Sequence, residues 1–154
     1  MRKSVAGEVP GNNVDDKADK TLVSTLTKAG FRPGQVVQEL GWDDDVDDGL
    51  RLAIEEIIDG DLLEDAMEAV DVVLLWWRDD DGDIVDGVMD ALTDLTDTGV
   101  VWVLTPKVSR PGHVDPADLA EAANTVGLTQ TSTASNVSDD WSGVKFVRPK
   151  SGRR

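Results

Sequence analysis

The chain has no cysteine, no tyrosine and a single histidine in 154 residues. Without cysteine there is no disulfide framework, no thiolate zinc site and no cysteine nucleophile, and the redox compartment is left open. The one histidine, His113, would have to serve any Ser/His/Asp catalysis together with Ser109 or Ser142. Neither serine lies in the sharp strand-to-helix elbow that exposes a nucleophile, and a loop histidine beside Gly112 reads as a solvated side chain. Long apolar runs are missing as well. No segment has membrane-spanning length, and Met1 to Pro10 carries a basic pair without the apolar stretch of a signal peptide, so a cytoplasmic protein without membrane attachment is expected.

Positive charge is the next scarcity: 15 Lys and Arg stand against 31 Asp and Glu, for a net charge of -16. The imbalance is concentrated. From Glu39 to Asp97 there are 22 acidic residues and only two basic ones, Arg51 and Arg78. Such a stretch repels phosphate backbones, so direct nucleic-acid binding through it is disfavoured, while solubility accounts for most of the carboxylates.

What remains is a chain long enough for one domain that buries roughly two thirds of its unfolded surface and needs no metal or disulfide to fold. Residues 1–16, rich in Gly, Asn, Asp and Pro, are expected to form a flexible arm, and 149–154 a short basic tail, which leaves 17–148 as the domain. Within it, Lys17 to Ala29 has helical apolar spacing and stops at Gly30. Gln35 to Gly41 reads as a short strand, and Asp43 to Asp48 caps a helix that turns Leu50, Ala53, Ile54, Ile57 and Ile58 to one side. Val70 to Trp77 is nearly all apolar, as expected of a central strand buried on both faces, with Trp76 and Trp77 pointing opposite ways. A helix is expected to turn Ile84, Val85, Val88, Met89, Leu92 and Leu95 inward and to end at Gly99, before a strand from Val100 to Leu104. Asp115-Pro116 starts a helix through Val126. Leu128 to Ala134 and Val144 to Val147 read as two last strands joined by a loop from Asn136 to Gly143. This alternation predicts an α/β, Rossmann-like fold: a mostly parallel sheet, helices on both faces and an antiparallel strand pair at the C-terminus.

That order is similar to the later part of a class I methyltransferase fold, whose sheet also closes with an antiparallel hairpin. A second resemblance runs from about Leu22 to Lys150. Gly30-Phe31-Arg32-Pro33-Gly34-Gln35, Asp71-Val72-Val73, Trp102 with Pro106-Lys107, and Trp141-Ser142-Gly143-Val144-Lys145 with Val147 resemble the domain of unknown function 3052 family, found in many bacteria and especially actinobacteria. The resemblance supports the fold and brings no activity with it.

Cofactor signatures are weak. After the first strand the chain reads Glu39-Leu40-Gly41-Trp42-Asp43-Asp44-Asp45, with one glycine instead of a glycine-rich turn and carboxylates where an anionic ligand would lie. Asp44, Asp48, Gly49 and Glu55 fall at calcium-loop positions 1, 5, 6 and 12, but position 3 is Val46 and the segment already reads as helix. Asp79, Asp81 and Asp83 lack the required glycine. Helix capping is the simpler account of both clusters, so neither a cofactor nor a metal is expected.

The candidate surface is cationic and aromatic. Lys107, Arg110 and His113 follow a strand end, where open α/β sheets present ligand-facing groups. Lys145 is expected to add charge, and Trp42 and Trp141, at strand ends beside aspartates, are candidate contact anchors. The expected function is a non-catalytic binding or regulatory module with a protein partner. Two alternatives stay open: an enzyme or sensor for a small anionic ligand such as a nucleotide or S-adenosylmethionine, and an acidic nucleic-acid mimic.

Overall fold

The computed structural model describes residues 19–134 and 137–149, so the expected flexible arm and most of the basic tail lie outside the described residues. The first helix, α1 (Lys20–Ala29), begins where the Asp19 carboxylate accepts hydrogen bonds from Thr21 N at 2.8 Å and Leu22 N at 3.2 Å, satisfying two of the donors a helix start leaves unpaired. The chain then forms β1 (Val37–Leu40), α2 (Asp48–Ile58), β2 (Val70–Trp76), α3 (Ile84–Ala91), β3 (Leu95–Pro106), α4 (Pro116–Thr125), β4 (Thr129–Ala134) and β5 (Trp141–Val147). Aspartates cap the remaining three helices as well: Asp47, Asp83 and Asp115 each accept from a backbone N–H of the first turn. Four of the 31 acidic residues are thus accounted for as helix caps.

Among the described residues five strands form one sheet in the order β1-β2-β3-β5-β4. β1, β2 and β3 are parallel, and β5 runs antiparallel between β3 and β4. The free edge of β1 is covered by a short segment in which Leu63 donates to Val37 O and Glu39 donates to Leu63 O, at 2.9 and 2.8 Å. The chain thus leaves β1 through α2 toward that edge, then returns to lay β2 on the other side of β1. From β2 through α3 to β3 it continues outward. Connections on the two sides of β1 diverge, so a topological switch point falls at the carboxyl ends of β1 and β2, where open sheets of this type form their crevice.

Apolar side chains alternate between two layers. Leu26, Leu50, Ile54, Leu74, Trp76 and Trp102 pack beneath α1 and α2. Val73, Val88, Val101, Val103, Leu119 and Phe146 pack beneath α3 and α4. Trp76 is fully buried in the first layer and Trp77 packs half-buried against the second, as the alternation of a strand requires.

Two boundaries differ from the sequence expectation. The third helix ends at Ala91 rather than Gly99, and Leu95 opens β3 by pairing with Val70. Between Leu95 and Val100 the strand bulges out, and a Cβ on Gly99 would lie 2.5 Å from the Leu95 side chain, so glycine serves a tight backbone bend here and not a helix stop. Met89, expected inward, is 56% exposed. The last strand begins at Trp141 and not Val144, because Trp141, Ser142 and Gly143 pair with Pro106, Thr105 and Leu104. A long partner strand stabilised residues whose own composition reads as loop.

Candidate functional site

The β2 side of the crevice at the switch point is filled from within. Gly41 ends β1 with φ 78°, and a Cβ there would stand 2.3 Å from Trp76 O, so the carboxyl ends of β1 and β2 meet at a separation that only glycine allows. Into the space above them comes Arg78, two residues beyond β2. Its Nη1 donates to Gly41 O at 2.8 Å, its Nε to Asp45 Oδ2 at 3.1 Å, and its Nη2 to Asp45 Oδ1. Asp81 closes the other side, accepting from Arg78 N at 2.9 Å and from Nη1 at 3.3 Å. The guanidinium carbon lies 5.2 Å from the ring centre of Trp141, a cation–π distance. With its side chain 11% exposed, Arg78 is an internal tie between four segments.

A second ion pair lies alongside. Glu39, on β1, is buried and accepts from Arg51 Nε and Nη2 at 2.7 and 2.9 Å and from Trp76 Nε1 at 2.9 Å. The fork of Arg51 matches the carboxylate bidentately, which supports a charge that burial alone would penalise. Trp76 meets Trp141 edge to face, with ring centres 4.9 Å apart, and Trp141 Nε1 donates to Asp45 O at 3.1 Å. The Arg78 hydrogen bond holds the Asp45 carboxyl below the usual carboxylate range, against burial. The bond to Glu39 likewise raises the Arg51 guanidinium above its ordinary value, against burial.

Of the candidate residues, Lys107, Arg110, His113 and Trp141 converge at this end of the sheet. Lys107 N donates to Asp140 O at 3.0 Å, Arg110 Nη1 to the same oxygen at 2.9 Å, and His113 Nδ1 lies 2.8 Å from Pro106 O. The loop is thereby tied to the start of β5. Trp42 stands on the neighbouring loop, 54% exposed. Trp141 is 1% exposed, and its ring supports Arg78 and Trp76 from inside instead of presenting an anchor to solvent. Lys145 is not part of the group: its Nζ reaches the far end of α1, donating to Ala29 O at 3.2 Å and lying 6.0 Å from the Trp102 ring.

Glu39, Asp45, Arg51 and Arg78 were not singled out as site residues from the sequence. A signal was present, since Arg51 and Arg78 are the only cations in the acidic stretch, and a solitary cation among carboxylates tends to be one that is held. Among the described residues no group of three or more His, Asp or Glu side chains is arranged to hold a metal ion. The calcium-loop pattern from Asp44 to Glu55 runs into α2, whose helical geometry precludes the loop.

Comparison with known proteins follows the same lines. A family model described as protein of unknown function (DUF3052) matches residues 26–150. The chain belongs to this family. It is similar to uncharacterized protein Mb2263c of Mycobacterium bovis and to uncharacterized protein Rv2239c of Mycobacterium tuberculosis, each 54% identical over 125 residues, or 80% of this chain and 78% of the relative. Among solved structures, the CcbJ methyltransferase from Streptomyces caelestis superposes with TM-score 0.54 at 11% identity, covering 87% of this chain and 91% of the other. A SAM-dependent methyltransferase from Aquifex aeolicus superposes with TM-score 0.52 at 10% identity, covering 81% and 88%. At these identities the likeness concerns the fold alone: this DUF3052 protein has a methyltransferase-like Rossmann fold.

That fold implies S-adenosylmethionine at the carboxyl end of β1, and the loop residues there are a poor match for it. The space Gly41 opens is taken by Trp76 O and the Arg78 guanidinium, and the loop that would face a methionyl carboxylate carries Asp43, Asp44 and Asp45. Beside Arg51 an open groove of about 570 Å³ remains at the carboxyl end of β1, between Gly41–Trp42 and the Leu62–Asp65 segment, lined also by Glu39 and Leu40. Among the described residues no helix is long and apolar enough to cross a membrane.

Proposed function

We propose that this DUF3052 protein is a non-catalytic binding module that uses the carboxyl end of a methyltransferase-like sheet to hold a protein partner. The observation carrying the reading is Arg78, whose guanidinium fills the β2 side of the crevice and is tied to Gly41 O, Asp45 and Asp81. With that side filled, what stays open is the groove beside β1. On that surface Trp42 offers an exposed indole at the mouth of the groove lined by Glu64 and Asp65, with Lys107 and Arg110 farther along the same end of the sheet, after β3. An aromatic anchor beside carboxylates suits a partner segment that combines apolar and basic side chains.

The test has two arms. Purified protein with S-adenosylmethionine, S-adenosylhomocysteine and common nucleotides is expected to show no rise in melting temperature, and a rise of several degrees would overturn the reading. Affinity capture with the full chain is expected to recover a partner that Trp42→Ala and Glu64→Lys both lose while the variants keep the wild-type melting temperature. Capture indifferent to both substitutions would place the interface elsewhere.

A further inference from the structure

A separate cavity lies at the other end of the sheet, between the end of α1, the starts of β1 and β2, and the bulge of β3. Its volume is about 260 Å³, and its lining includes Gln35, Asp71, Thr98, Trp102 and Lys145. Two opposite charges face it without meeting. The Lys145 ammonium donates one hydrogen bond, to Ala29 O at the C-terminus of α1, and makes no ion pair among the described residues. Two of its three donors are left over. Asp71 Oδ2 accepts from Val36 N at 2.8 Å, while Oδ1 has no hydrogen-bond partner among the described residues. In a chain of net charge -16, a half-buried lysine that no carboxylate has claimed is unexpected if its role were charge compensation alone.

The rest of the lining gives the cavity a shape. Gln35 is pinned by donating to Gly30 O at 3.4 Å and accepting from Arg32 N at 2.9 Å, so it forms a fixed wall. Phe31 and Trp102, stacked with ring centres 6.4 Å apart and nearly buried, leave a small apolar patch at the bottom of a mostly polar lining. The bulge that carries Thr98 closes the side next to β2. At about 260 Å³ the space lies just below the range of about 300 to 1,000 Å³ typical of drug-sized ligands.

We infer that this cavity binds a small zwitterion of amino-acid size, with the ligand carboxylate on Lys145 Nζ, its ammonium on Asp71 Oδ1 and a small apolar substituent against Trp102. One ligand then satisfies both spare charges at once, which neither a plain anion nor a plain cation does. The cavity is remote from the Arg78 crevice, so this inference stands independently of the proposed partner-binding surface.

The test is a thermal-shift and calorimetric titration of the wild-type full chain with the small apolar L-amino acids, each beside its carboxamide and its N-acetyl derivative. At least one free amino acid is expected to raise the melting temperature by several degrees at saturation, with affinity reduced tenfold or more in both derivatives. Lys145→Met and Asp71→Asn should each weaken the free ligand by a similar factor. A flat panel in the wild type would overturn the inference. So would equal binding of the carboxamide or N-acetyl form, an equal shift with plain carboxylates such as propionate, or binding unchanged in both variants. Because the derivatives are compared on the wild-type chain, the outcome does not depend on either variant folding.

Discussion

Replacing Arg78 with alanine isolates the tie across the crevice. The substitution removes charge-assisted hydrogen bonds to Asp45, Asp81 and Gly41 O, and the cation–π contact with Trp141. Cutting one partner out of a fully buried pair costs about 3 to 5 kcal/mol, because the other charge is stranded. Here the stranded carboxylates are not fully buried: the side chains of Asp45 and Asp81 are 43% and 33% exposed, so water takes over much of their solvation once the arginine is gone. What remains is the loss of a hydrogen bond at the exposed Gly41 O, about 0.5 to 1.5 kcal/mol, and of ring contact, about 0.5 to 1 kcal/mol. The expected loss is therefore about 1 to 2.5 kcal/mol, or a fall in melting temperature of about 3 to 9 °C for a domain of this size. Urea denaturation of wild type, Arg78→Ala and Arg78→Lys reads it directly. The lysine variant keeps the charge without the fork and should fall between the other two. A loss below about 0.5 kcal/mol for Arg78→Ala, the range of an ordinary surface substitution, would refute the account of the crevice as an internally bonded unit.

Further outcomes follow from the same geometry. Gly41→Ala puts a Cβ against Trp76 O at a left-handed backbone angle and is expected to destabilise by about 1 to 3 kcal/mol, measurable as a lower urea midpoint; a stability equal to wild type would contradict the close approach of β1 and β2. Phe146→Ala empties a site of 0% exposure between β5 and the α3–α4 layer, and about 3 to 5 kcal/mol should be lost by thermal unfolding. The Asp45 pKa is depressed in the folded state by Arg78, so the pair's contribution is present above the unfolded carboxylate value of about 3.9 and is lost as pH falls through the lower folded value. The stability gap between wild type and Arg78→Ala should accordingly narrow on acidification below about pH 4, and a gap constant to pH 2 would contradict the pairing.

Element order was legible from periodicity because most core side chains are placed by local spacing. Leu50, Ala53, Ile54, Ile57 and Ile58 on one helical face, and the unbroken Val72 to Leu75 run of a doubly covered strand, are buried as that spacing implies. The parallel sheet with an antiparallel C-terminal pair followed from the alternation of such segments. The errors fall where a distant partner outweighs local composition. Leu95 has helical spacing from Val88 and Leu92 but joins the sheet because Val70 presents an unpaired edge to it, and Trp141 to Gly143 become strand because β3 runs on to Pro106.

The candidate site divides the same way. Composition by itself determined that the chain is acidic, free of thiols, short of the glycine-rich turn that cradles a dinucleotide, and arranged as an α/β sheet with Lys107, Arg110 and His113 after a strand end. All of these depend on residue type or on neighbours within a few positions. Only the tertiary structure decided that Arg78 fills the β2 side of the crevice, that Trp141 lies beneath it, and that Lys145 belongs to the opposite end of the sheet. Arg78 and Asp45 are 33 residues apart, Trp141 and Asp45 are 96, and Lys145 and Ala29 are 116. Interactions across such separations depend on which strands are neighbours and on the face each side chain takes, and neither quantity is carried by any local stretch of the chain.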